Sequence, residues 1–581
     1  MYFCKMKKII YTFLFTFIFV LLLFFLLTLD YQNFTYQLLY FYNKIDRIDF
    51  FRQNLLTEVH FLALKIISIS IWSGFYILLL WKGKAIKIKL IYYKDKIRSA
   101  LKSNFNSISK KIKSTFQQLS FLQKVVLFSP MPIYIAFWWI YGWQNDEIFS
   151  YTFFVDRGIL VSATYYPAPN NHVAFLIFAA LLNKIIPSFF SDFIALKLPA
   201  TLAALFSLWF VWLFFYRKNQ KILAWISFIL IAFNWAFFFY ATHGRGYAWI
   251  ILFFLLSCFA VFKIVDSAHN SENTNNFKYW FLWSFSLILG CYTIPIFIYV
   301  WFGSLVGLWI IGTNKIRKKS ILFSFISGVI ILAFYTPILI LNGLSAIISN
   351  SWVAPLSLQK WLQEFPIYLW NVHGITGILA FWASIILFFS KKEYKKLIIY
   401  FWAIAYFPYL IVFIQKVLPF ERVFLYRQIA EILMLNFCIF IGIKKKINSF
   451  FYQKKHQNFI QISLIILAIF YANFRIFGEH YRCNLKTNIY HFAEPLAKKI
   501  YAQNHKKPIS ILVFEDTYNI FLRYYFRKLG TKIDTLPSKE TNYQIIILPK
   551  TESFLITQKD SSNYFIFYED NFVTGFKKKQ Y

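Results

Sequence analysis

Apolar residues run along this chain in stretches of about 17–25, long enough to cross a ~30 Å hydrocarbon core as helices, separated by short polar segments. The pattern predicts spans near 8–28, 61–81, 122–142, 193–216, 221–241, 246–265, 279–295, 296–313, 320–342, 372–390, 397–415, 423–443 and 458–475. A backbone in lipid must satisfy its own hydrogen bonds, so thirteen such stretches predict an all-α polytopic membrane protein. The stretch 279–313 is divided at Tyr292-Thr293-Ile294-Pro295 as a tight hairpin. The polar positions test the count through their charge. The segments 82–124, 217–221, 314–319, 391–396 and 444–455 are each rich in Lys and Arg, and thirteen spans place all of them on one side, as the positive-inside rule requires. The N-terminus is then expected in the cytoplasm and the C-terminus outside.

Three segments fall outside the spanning pattern. Residues 82–124 hold twelve Lys or Arg against the single acid Asp95, with Ile97, Leu101, Phe105, Ile108, Ile112, Phe116 and Leu119 three or four apart. That spacing predicts a basic amphipathic helix on the cytoplasmic leaflet. Val173–Ile186 is apolar but, at fourteen residues, too short to span, and is expected as an interfacial helix. Residues 476–581 turn polar and mixed, with strand-like runs at Ile509–Phe514, Tyr543–Leu548 and Tyr564–Tyr568 between helical patterns at 489–503 and 518–529, which predicts a small extracytoplasmic α/β domain. The expected organisation is a two-span N-terminal extension (1–121), a transmembrane core (122–443), a last span with its basic lead-in (444–475) and the outer domain (476–581).

Composition agrees with a bilayer as solvent: 59% of residues are hydrophobic and only 15% charged. The net charge of +37 would suit nucleic acid, but the basic residues sit between spans, so no nucleic-acid partner is expected. Cys4, Cys258, Cys291, Cys438 and Cys483 are scattered and show neither a metal-ligand spacing nor a disulfide framework.

Candidate chemistry gathers in the loops expected outside. The first carries Trp143-Gln144-Asn145-Asp146-Glu147, then Asp156-Arg157, then Tyr165-Tyr166-Pro167-Ala168-Pro169-Asn170-Asn171-His172. Adjacent carboxylates just beyond a span suit a general base, because partial burial and like-charge repulsion let one of them accept a proton from a hydroxyl. The same pair suits a helix start, with Asp146 as its cap. His243-Gly244-Arg245-Gly246-Tyr247 presents an arginine between glycines, able to meet a phosphate or to snorkel at the interface. Pro419-Phe420-Glu421-Arg422 is a further cationic edge, and Arg427 lies one to two turns into the next span, where it meets a phosphate or pairs with Glu431.

Taken in order, the Asp146-Glu147 loop, Asn171-His172, Leu196-Lys197-Leu198-Pro199-Ala200, Gly244-Arg245-Gly246-Tyr247 and Pro419–Arg422 resemble the GT-C superfamily of polytopic glycosyltransferases. Within it they resemble the bacterial family of lipid A aminoarabinose transferase, related to protein O-mannosyltransferases. The resemblance covers 122–443. It implies a bacterial inner-membrane enzyme that transfers a sugar from polyprenyl phosphate to a lipid, glycan or protein acceptor at the outer face, with inversion, amid membrane lipids. It further implies Asp146 as base with Glu147 as second choice, and Asn171, His172, Lys197, Arg245, Tyr247, Arg422 and Arg427 as substrate-binding residues. Two positions depart from the family pattern. Lys197 stands where an arginine is usual, and a second aspartate after the Gly-Arg motif falls at apolar Trp249-Ile250. No metal or other cofactor is therefore expected, since a divalent cation lacks its second carboxylate. The rival readings are a lipid or polysaccharide flippase, whose charges would lie nearer the midplane, and a non-catalytic assembly subunit docking through 476–581.

Overall fold

The computed structural model describes residues 113–450 except 167–170, 187–190, 219, 270–276, 343–346 and 348–354, together with parts of 27–77 and of 492–578. The expected span at 458–475, nearly all of that at 8–28 and the basic stretch 82–112 lie outside the described residues, and 61–81 is described only in part.

The protein is a multi-pass helical membrane protein. Seven described helices are long and apolar enough to cross a membrane: Phe121–Tyr141, Asp192–Arg217, Tyr247–Asp266, Asn314–Leu339, Leu358–Ser390, Lys392–Gln415 and Glu421–Gly442. An eighth span is formed if Lys221–Ala232 and Trp235–Thr242 count as one, bent by 64°. The apolar run 221–241 hid that bend. Asn234 supplies it, because its side chain accepts the Phe237 amide (3.1 Å) and so starts a fresh helix. The hairpin at Tyr292–Pro295 is present: helix Phe277–Thr293 stops there, and a 3₁₀ turn, Pro295–Phe297, leads into helix Ile298–Ile311. A straight helix would place Trp283 and Ser304 roughly 30 Å apart, yet Trp283 Nε1 donates to Ser304 Oγ at 2.9 Å.

Alternating directions sort the charges. Asn342 Nδ2 donates to Thr164 O (2.8 Å) and Leu356 N to Lys416 O (2.8 Å), tying together helix ends at one end of the bundle. Lys218, Gln220, Lys263, Asp266 and Tyr394 line a common cavity at the other, the end where the lysine- and arginine-rich segments 217–221, 314–319 and 391–396 fall. Between the ends, close packing is set by aromatic and small residues. Trp212, Trp280, Trp283 and Trp361 are fully buried. A Cβ at Gly303 would lie 2.8 Å from the Ala403 carbonyl oxygen, so helices Ile298–Ile311 and Lys395–Ala405 meet backbone to backbone.

The short apolar segment forms helix Val173–Ile185, which buries Val173, Phe175, Leu176, Ala179 and Ala180 against the bundle. The C-terminal domain has helices Ala493–Asn504 and Asp516–Lys528 and strands β1 (Ile509–Val513), β2 (Ile533–Asp534), β3 (Ile545–Pro549), β4 (Tyr564–Glu569) and β5 (Val573–Lys578). Their order is β2-β1-β3-β5-β4, with β1 parallel to β2 and β3, and β5 antiparallel to β3 and β4. The sequence pattern shows β1, β3 and β4. It conceals β5, whose Gly575 and terminal lysines read as a tail until Phe576 pairs with Ile546.

Candidate active site

The loop after helix Pro130–Tyr141 turns at Gly142 and opens a six-residue helix, Asn145–Ser150, with Asp146 and Glu147 in its first turn. The N-cap is Gln144, not Asp146, and Glu147 is its partner in a capping box, accepting from Gln144 N (2.9 Å). Glu147 is wholly buried. Its other oxygen accepts the Gly244 amide, and Lys197 Nζ lies 3.3 Å from Oε2, itself wholly buried and donating to Gly142 O (2.7 Å). A charge pair with no water must be paired and hydrogen-bonded on both sides, and this one is. Lys197 thus lies beneath the loop and holds it, rather than facing a substrate.

With Glu147 turned inward, Asp146 faces out of the helix. Its carboxylate is 43% exposed and stands 3.5 Å from Arg245 Nη1 and 3.6 Å from Arg422 Nη1. Arg245 also donates to Asp146 O (3.3 Å). The two glycines beside Arg245 are required by close approach. A Cβ at Gly244 would fall 2.5 Å from the Leu196 side chain, and one at Gly246 within 3.1 Å of both Thr293 and His172. Gly246 N donates to His172 Nδ1 (2.8 Å), so the neutral ring carries its proton on Nε2, 3.4 Å from Arg245 Nη2. Burial, reinforced by Arg245 and Arg422, holds the His172 pKa well below its ordinary value. Tyr247 packs edge-on to His172 and beside Tyr240. Asn171 is buried and donates to Tyr165 O (2.6 Å) and Ser162 O (3.3 Å), closing the loop before His172. Pro167–Asn170 lie outside the described residues.

Arg422 connects this group to a cavity of about 640 Å³ lined also by Tyr240, Tyr368, Asn371, Glu364 and Glu421. The structure therefore brings Asp146, His172, Arg245, Tyr247 and Arg422 together and sets Glu147, Lys197 and Asn171 behind them. Arg427 sits elsewhere. It is fully buried, 3.8 Å from the centroid of the Tyr409 ring, with Nη2 2.5 Å from His373 Nε2, and His373 in turn bonds Glu431 through Nδ1. The pairing with Glu431 foreseen along the helix is made through that histidine instead. His373, Tyr368 and Asn371 carried no signal in the sequence, being single polar residues in an apolar stretch. Among the described residues, no three His, Cys, Asp or Glu side chains gather as a metal site would need.

No family model matches the chain, and no curated protein matches its sequence. Solved structures do. The chain is similar to ArnT from Cupriavidus metallidurans bound to undecaprenyl phosphate, with a TM-score of 0.50 at 10% identity, over 79% of this chain and 98% of that one. The chain shares the fold of that ArnT structure. ArnT from the same organism in the apo state aligns with a TM-score of 0.49 at 10% identity, over 78% of this chain and 97% of that one. An oligosaccharyltransferase from Archaeoglobus fulgidus, crystallised with zinc and sulfate, gives 0.38 at 11% identity, over 70% and 64%. The alignment with the first ArnT structure takes in more of the chain than the stretch 122–443 that carries the motifs.

Proposed function

We propose that the protein is a membrane glycosyltransferase that moves a sugar from a polyprenyl-phosphate donor to a hydroxyl of a lipid, glycan or protein acceptor at the outer face, with inversion. The observation that carries this reading is the partly exposed Asp146 carboxylate between Arg245 and Arg422, the second of which also lines a cavity of about 640 Å³. The GT-C fold supports it, as does undecaprenyl phosphate in the similar ArnT structure. The segregation of Lys and Arg to the opposite end of the bundle supports outer-face transfer.

A glycosyl phosphate already has a good leaving group, so the reaction needs a base for the acceptor and cations for the departing phosphate. In the free protein the two guanidinium groups neutralise Asp146. An arriving phosphate competes for them, and their withdrawal leaves the carboxylate free to take the acceptor's proton. The acceptor oxygen then bonds to the anomeric carbon, the carbon–oxygen bond to phosphate breaks, and its electron pair leaves with the polyprenyl phosphate. His172 is held neutral and accepts the Gly246 amide, which sets the course of the Gly-Arg-Gly turn and so aims Arg245.

The residues present do not fit a resident divalent cation. Guanidinium groups flank the Asp146 carboxylate, and Trp249, in the region where a second aspartate would stand, donates its indole N–H to Pro199 O (3.0 Å). The helix breaks at Asn234 and Gly374 are shared with transporters. A flippase reading predicts movement of lipid-linked sugar across vesicles without cleavage. The test is to give purified protein a panel of polyprenyl-phosphate sugars with candidate acceptors: release of polyprenyl phosphate supports the transferase, and translocation without release supports the flippase.

A further inference from the structure

The acidic loop is gripped from above as well as from below. Helix Ser191–Arg217 offers Asp192 and Lys197 to the loop, and Lys197 takes Glu147. Asp192 takes the next turn: Tyr151, four residues after Glu147 and on the same helical face, donates to Asp192 Oδ1 (2.7 Å). The other oxygen of Asp192 belongs to the C-terminal domain, accepting from Tyr524 OH (3.1 Å), with Lys528 Nζ 3.5 Å away. The Tyr524 ring stands edge-on to Trp143 (5.4 Å) and Tyr151 (6.0 Å), and Arg527 pairs with Asp156. Helix Asp516–Lys528 therefore holds the loop at Trp143, Tyr151 and Asp156, and Asp146 lies inside that interval. The rotation of the short helix Asn145–Ser150, which decides where Asp146 points, is fixed by Glu147 on Lys197 and by Tyr151 on Asp192.

We infer that Tyr524 and Asp192 are positioning residues, through which the docked C-terminal domain fixes the acidic loop and aims Asp146. The inference rests on the glycosyltransferase reading for its consequence in catalysis, but not for the docking itself. A residue that only positions the base acts on turnover, because a small misplacement of a reacting group costs rate steeply. Tyr524→Phe keeps the shape of the contact and removes the hydrogen bond to Asp192, and Asp192→Ala removes that bond together with the one from Tyr151. Because both break the same link, their effects should not add.

The test uses full-length protein in detergent with two readouts: amide hydrogen exchange over residues 143–156, and steady-state release of polyprenyl phosphate. Both variants should exchange about tenfold or more faster over 143–156. They should lose about tenfold or more in kcat with donor KM within about twofold, and the double variant should match the worse single one. Lys498→Ala, on an exposed pair elsewhere in the domain, should change neither readout. Unaltered exchange over 143–156 in both variants overturns the docking role. Faster exchange with kcat intact, where Asp146→Asn is inactive, overturns the positioning role alone. An active Asp146→Asn contradicts Asp146 as the base and overturns the positioning role with it, leaving the exchange result to judge the docking, whereas unaltered protein that releases no polyprenyl phosphate contradicts the glycosyltransferase reading.

Discussion

Two adjacent carboxylates of the candidate site have opposite surroundings. Glu147 is sealed against Lys197 and the Gly244 amide, while Asp146 stands partly exposed between two arginines. Truncating one partner of a sealed pair strands a buried charge, so Glu147→Ala should lower stability by about 3–5 kcal/mol, seen as a fall in the detergent unfolding midpoint. Asp146→Asn, partly exposed and outside the capping box, should leave that midpoint unchanged. Gly244→Ala tests the same turn from its backbone. The added methyl meets Leu196 and should cost about 1–3 kcal/mol in the unfolding assay while displacing Arg245 from Asp146. The histidines set a pH dependence. His172 and His243 are both held below their ordinary pKa, first by burial. As pH falls through about 6.5, the unfolded chain takes up protons that the folded one refuses, so stability is full above that value and declines below it. The unfolding midpoint should fall between about pH 7.5 and 5.5. His172→Asn, whose Oδ1 can accept the Gly246 amide, should remove about half of that fall, His243 supplying the rest.

Helices reach the site already bent or broken, and periodicity does not record this. The apolar run 372–390 predicts one plain span, yet the helix starts at Ser357, whose side chain accepts the Lys360 amide (3.3 Å), and breaks at Gly374 (φ 54°). His373, just before the break, is clasped between Glu431 and Arg427 of helix Leu425–Phe450. A buried ion network joins two spans where one of them has lost its helical bonds. Glu431→Ala should therefore cost about 3–5 kcal/mol by thermal unfolding, whereas Lys360→Ala, on an exposed pair of the helix that carries His373, should cost no more than about 1 kcal/mol. Span existence was legible because lipid demands long apolar helices. The 64° bend at Asn234 and the break at Gly374 were not, since each depends on one residue whose effect is set by its neighbours in space. The hairpin at Tyr292–Pro295 was legible only through the charge parity of loops far from it.

At the scale of the whole molecule, the described loops at one end form the candidate site and the basic segments 217–221, 314–319 and 391–396 lie at the other. That segregation was legible in the sequence, as was the convergence of Asp146, His172, Arg245 and Arg422. The roles of Lys197 and Arg427 were not, because a cation in a motif looks the same whether it faces a ligand or a buried partner. Nor was the docking of Tyr524 on Asp192, more than three hundred residues apart in sequence and joined only in the folded chain. The central claim is that Asp146 is the base of a glycosyl transfer from a polyprenyl phosphate. It is tested most directly by comparing Asp146→Asn with the unaltered protein for release of polyprenyl phosphate, with folding and donor binding measured alongside. Asp146→Asn is expected to lose about 10²–10⁴-fold in turnover with folding and binding retained; turnover equal to that of the unaltered protein would mean that Asp146 is not the base.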